Sequence, residues 1–187
     1  MYTLHYGGKE GPVCHLVESP DLVAVSTETE APLSEQDLSG ASRGLVGQMT
    51  LLADFPEAGI AVYQVQETDS SNAKKLRNRI RKQLKQEKAV RFAGRVLVDP
   101  NTGSICVYTE KIFVKFKDDV HESTCESILQ AFMLHILEKI SFANNAYFTS
   151  VEPGSGLKVF SIAENLLQRE EVELCHPEVI MQAERKL

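Results

Sequence analysis

Apolar positions repeat along this chain with two different periods, and the switches between them mark out its elements. Residues 112–117 alternate with period two, which places Ile112, Val114 and Phe116 on one face of a strand and Phe113 and Lys115 on the other. The period then changes. Ser123 and Glu126 have the spacing of a capping box, and Ile128, Leu129, Phe132, Ile136 and Leu137 recur at helical intervals, predicting a helix over 122–137. Short strands at 139–142 and 145–151 flank a turn at Ala143-Asn144. Pro153-Gly154-Ser155-Gly156 breaks the chain before a second amphipathic helix over 157–169, and a last strand over 172–180 is interrupted or edge-placed by Pro177. The order is β-α-β-β-α-β. It predicts an α+β fold of the ferredoxin-like class, an antiparallel sheet with both helices on one face.

The first half follows a related course. Residues 2–6 and 13–17 form a hairpin around the Gly-rich and Pro-containing turn between them, and residues 22–27 form the next strand. Ser34 and Asp37 cap a helix over 34–53 with Leu38, Leu45, Met49 and Leu52 on its apolar side, although Gly40, Gly44 and Gly47 weaken it. Then come a strand at 60–66, a helix at 72–86 with the stripe Leu76, Ile80 and Leu84, and a strand at 89–98. Asp99-Pro100-Asn101-Thr102-Gly103 turns the chain into a hairpin partner at 105–109. Side by side, residues 1–104 and 105–187 read as a diverged tandem repeat whose first copy lacks the second strand of its hairpin.

Composition narrows the functional classes. With 187 residues, 43% of them hydrophobic, the chain can build one large or two small cores. No apolar run is long enough for a bilayer and no export signal opens the sequence, which points to a cytoplasmic protein without a membrane partner. Cys14, Cys106, Cys125 and Cys175 are too far apart for a Cys-x-x-Cys pair, so reduced, buried thiols are expected. Net charge is −6, which argues against nucleic acid as a global partner. Yet Lys74, Lys75, Arg77, Arg79, Arg81, Lys82, Lys85, Lys88, Arg91 and Arg95 are half of the 20 basic residues. That cluster lacks the interleaved aromatics of a base-stacking surface and reads best as a solvated face for an acidic surface; RNA binding is the alternative.

Candidate chemistry is sparse. No phosphate loop, dinucleotide fingerprint or carboxylate-rich metal loop occurs, so no cofactor and no metal are expected. Gly154-Ser155-Gly156 lacks the spacing of a nucleophile elbow. Cys125 lies four residues from His121, a spacing that permits a Cys-His pair, but a structural cysteine is the better reading.

The segment YTEKIFVKFKDDV from Tyr108, the helix after it, Asn144-Asn145-Ala146-Tyr147-Phe148 and the closing AENLLQREEVELCHPEVI, with Glu171-Val172-Glu173 and Pro177, resemble the N-terminal pro-domains of subtilisin-like serine proteases. The resemblance covers about the last 75 residues well and the first half loosely. The Asp, His and Ser contexts of that family's catalytic domain are missing, so no catalytic residue is expected here. The resemblance implies a binding role, as a pro-domain or regulatory region acting as intramolecular chaperone and inhibitor of a subtilisin-like catalytic domain in cis or in trans. Its sheet would pack on the protease through Phe113 and Tyr147 on the open face. Its C-terminal segment, Gln182, Ala183, Glu184, Arg185, Lys186 and Leu187, would lie in the substrate cleft as an added strand. A minimal pro-domain has no counterpart of the first 100 residues, and an intracellular protease with a retained regulatory region fits that extra length. A standalone inhibitor or interaction module is the alternative within the same binding class.

Overall fold

A computed structural model describes residues Met1–Met181. In chain order the strands and helices are β1 (Tyr2–His5), β2 (Val13–Thr27), α1 (Gly40–Val46), β3 (Met49–Phe55), β4 (Ile60–Val65), α2 (Ser70–Leu84), β5 (Val90–Val98) and β6 (Ile105–Phe116). They continue as α3 (Glu122–Ala131), β7 (His135–Lys139), β8 (Ala146–Ser150), α4 (Lys158–Leu167) and β9 (Val172–Met181). Two compact units result. The first is Glu18–Val96; the second joins Met1–Val17 to the chain from Leu97 onward, so the division falls inside β2 and β5 rather than at 104/105.

The first unit is a complete β-α-β-β-α-β module, with strands in the order β3-β4-β2-β5. It does not lack a hairpin strand. The helix expected over 34–53 ends after Val46, with Gly47 as its C-cap, and Met49 begins β3, which pairs antiparallel with β4 from Met49↔Val65 to Phe55↔Ile60. The strands expected at 13–17 and 22–27 are one continuous β2 running through Pro20. Val23 and Val25 of β2, Ala61, Tyr63 and Val65 of β4, Leu45 of α1 and Ala73, Ile80 and Leu84 of α2 share one core. The period-two and helical stripes therefore meet on a single face of the sheet. Asp69 caps α2 by accepting from the Asn72 amide at 2.8 Å.

The second unit repeats the module as β9-β6-β8-β7, all pairs antiparallel. Ile112, Val114 and Phe116 are fully buried, as the alternation requires, together with Cys125 and Leu129 of α3 and Val159, Phe160, Leu166 and Leu167 of α4. Three local expectations change here. His121, not Ser123, caps α3: its ring Nδ1 accepts from the Ser123 amide at 3.3 Å. The helix ends at Ala131 because Met133 takes φ +54°. Met133 N donates to Gln130 O at 2.9 Å and Leu134 N to Leu129 O at 2.9 Å, a Schellman closure without the usual glycine. Ile136 and Leu137, expected on the helical stripe, stand instead on β7. Pro177 is edge-placed, since β9 pairs with β6 alone among the described residues, and it does not interrupt the strand; the irregularity lies opposite, where β6 inserts residues between Tyr108 and Ile112.

The N-terminal hairpin belongs to this unit for visible reasons. Gly8, at φ +86°, lies where a Cβ would come within 2.7 Å of the Glu173 carbonyl, so only glycine fits against β9. Lys9 Nζ donates to the carbonyls of Gln168 and Arg169 at 3.3 and 3.0 Å, capping the C-terminal end of α4 with a cation. Tyr2 packs on Phe160, ring centroids 5.4 Å apart, and the Tyr6 hydroxyl reaches Met181 Sδ at 3.3 Å.

Candidate protein-binding surface

With helices covering Ile112, Val114 and Phe116, the other face of β6 presents Phe113 and Lys115, both partly exposed. The register sets Phe113 opposite Phe148 on β8 and opposite His176 on β9. Their rings lie 5.6 and 5.3 Å from that of Phe113. This makes an aromatic centre on the open face. Charges surround it: Lys115 Nζ contacts Asp118 Oδ1 at 2.7 Å and Glu173 Oε2 at 3.2 Å, and Lys111 lies 3.7 Å from Glu178. Burial pulls the Lys115 pKa down, but the hydrogen bonds to Asp118 and Glu173 outweigh it and leave the ammonium above the ordinary lysine value. A shallow groove lined by Lys111, Leu137, Glu138, Phe148 and Glu178 continues this surface toward β7. The face thus holds an aromatic centre inside a charged rim.

Tyr147 is not on this face. It pairs with Val114, is 1% exposed, and meets Phe116 edge-on at 6.0 Å under the helices. Strand parity decides this: a residue opposite Val114 shares the face of Val114, so Phe148 takes the position expected of Tyr147. Burial, and next the Cys125 thiol, push the Tyr147 hydroxyl up to about 12. Phe148 and His176 were legible only through their register with Phe113. Gln182, Ala183, Glu184, Arg185, Lys186 and Leu187 lie outside the described residues.

The thiols stay bland. All four cysteines are free, and burial raises each thiol pKa, that of Cys106 to about 12, so none is an activated thiolate. The ring of His121 is engaged with Ser123. Among the described residues no three His, Cys, Asp or Glu side chains group as metal ligands, and no helix is long and apolar enough to cross a membrane.

The basic cluster divides by residue type. Arg77 is fully buried in the first unit; its guanidinium donates to the Ser19 carbonyl and, at 2.5 Å, to Glu18, which also lies 3.5 Å from Arg95 Nε. Arg91 pairs with Glu28 and Glu30, and Arg79 donates to Gln48. Among the described residues Lys74, Lys75, Lys82, Lys85 and Lys88 are exposed and form no ion pair. Arg77 is the cluster's buried member, and the lysines face solvent.

These observations define an α+β protein built from two ferredoxin-like modules, one of which carries an aromatic patch on its open face. No family model matches the chain. It is 40% identical over 186 residues to a calcium-dependent protease of Nostoc sp. and 39% identical over 186 residues to a calcium-dependent protease of Trichormus variabilis. Each match covers 96% of this chain, which spans only 28% of the length of those relatives. Among solved structures, the acetolactate synthase small subunit from Thermotoga maritima matches 87% of this chain and 97% of its own at 16% identity, with a TM-score of 0.28. A superposition that loose equates no residues, and the fold rests on the strand pairing described above.

Proposed function

We propose that this chain is a non-catalytic, protein-binding region of a subtilisin-like, calcium-dependent protease, acting as its inhibitor and intramolecular chaperone. The observation that carries the reading is the 40% identity along nearly the whole chain to proteins of that name, most of whose length lies outside the matching stretch. The resemblance of residues 108–180 to subtilisin-like pro-domains supports the finer assignment. In this reading Phe113, Phe148 and His176 pack on the catalytic part, burying an aromatic centre that is only half-covered in the free chain. β9 leads into residues 182–187, which enter the substrate cleft as an added strand, with main-chain hydrogen bonds giving affinity.

The test is a titration of peptide hydrolysis by the Nostoc protease with purified 1–187 and with a version ending at Met181. Saturable inhibition by the whole chain, weakened about tenfold or more by truncation, is expected, a loss of about 1.4 kcal/mol. A folded 1–187 that leaves hydrolysis unchanged overturns the reading.

A further inference from the structure

One edge of the second unit exposes large apolar side chains among its polar ones. β7 pairs with β8 alone among the described residues, and all five of its residues are exposed. Ile136 and Leu137 are 44% and 53% exposed, and Met133 and Phe142 beside the strand are 77% and 91% exposed. Edge strands are ordinarily blunted, because their unpaired amides and carbonyls recruit other strands. Here a bulge between Ile136 and Glu138 interrupts the register, yet four large apolar side chains remain in water within ten residues. The first unit has the same device: β3 carries exposed Leu51 and Leu52 at a bulge between Leu51 and Ala53. Only β7 adds two further apolar neighbours and opens, through Leu137 and Phe148, into the groove that joins the aromatic patch.

We propose that β7 is a docking edge for an extended segment of the catalytic part of such a protease, apolar along its length with one lysine or arginine. The inference rests on the function proposed above and names a second contact of the same interaction. Two features select this occupant. In the relatives most of the chain lies outside the stretch that matches, so a partner is covalently present at high effective concentration. Within the groove Lys111 is paired with Glu178, whereas Glu138 forms no ion pair among the described residues and offers its carboxylate to an incoming cation. Backbone pairing along residues 135–139, burial of Ile136, Leu137 and Phe142, and a cation on Glu138 together define the site.

The experiment uses the full 1–187 chain, wild type and I136K/L137K, with the Nostoc protease. Lysine on an exposed edge leaves the fold intact, which an unchanged melting temperature checks; a second variant, E138K, reverses only the charge. Expected are slower amide exchange over residues 133–142 in the wild-type complex, at least about tenfold weaker inhibition by I136K/L137K, and weaker inhibition by E138K at unchanged melting temperature. Wild-type inhibition matched by both variants, with residues 133–142 exchanging as in the free chain, overturns the edge and leaves the proposed function standing. No inhibition by wild type overturns both. A concentration-dependent dimer that I136K/L137K abolishes, without loss of inhibition, assigns the edge to a second copy and overturns the proposal.

Discussion

Tyr147 and Phe148 are neighbours in sequence and point to opposite sides of the sheet, so the two should answer to different measurements. Tyr147 buries a hydroxyl whose polar neighbour is the Cys125 thiol, a weak hydrogen-bonding group, with no nitrogen or oxygen partner among the described residues, and a buried polar group so poorly satisfied costs roughly 1–3 kcal/mol. Replacing Tyr147 with Phe removes that cost and keeps the packing on Phe116. The expected outcome is a stability unchanged or raised by about 1 kcal/mol in urea unfolding, with inhibition unaffected. A loss of stability would mean that the hydroxyl is satisfied, with the Cys125 thiol its nearest candidate. Parity made Phe113 readable from its own strand. Tyr147 belongs to another strand, and nothing within 145–151 says which of its faces lies opposite Val114.

At the scale of the element, the same feature was hidden twice. Apolar residues continue past both α1 and α3 at intervals that a helix accepts, so Met49 and Leu52, and Ile136 and Leu137, were assigned to helices although each pair lies on the following strand. Gly47 was an available stop signal in the first case. In the second, Met133 adopts the left-handed conformation without a glycine to announce it, because the closing hydrogen bonds to Gln130 and Leu129 hold it there. The stripe Leu76, Ile80 and Leu84 announces α2, but nothing in it announces the task of Arg77. Arg77 fastens α2 to β2 through Ser19 and Glu18; without its buried guanidinium the Ser19 carbonyl loses that donor and the packed side chain leaves a gap, while Glu18 keeps Arg95 at 3.5 Å. Arg77→Ala should lower stability by about 2 kcal/mol, and Arg77→Lys should restore little of it because a lysine lacks the guanidinium fork. Urea denaturation of the three proteins checks this; a loss below about 0.5 kcal/mol for Arg77→Ala would show that the contact stabilises nothing.

Across the whole molecule, charge is divided between the units. Eleven basic and eleven acidic side chains fall in the first unit, nine and fifteen in the second, so the entire net charge of −6 belongs to the unit that carries the aromatic patch. Binding through an aromatic centre and backbone pairing is weakly screened, whereas binding through the unpaired lysines of α2 and the residues after it would be strongly screened. The inhibition constant is therefore expected to change less than about threefold between roughly 50 and 500 mM salt; a steeper loss would move the docking site to the lysines. The sequence by itself determined the class of fold and the buried faces of most strands, because alternation and helical spacing are local properties of a chain. Tertiary structure alone decided that β7 is an edge, which aromatic ring joins Phe113, and where the N-terminal hairpin packs. Each of those depends on register between segments far apart in sequence, and hydrophobic pattern within one segment carries no record of its partner.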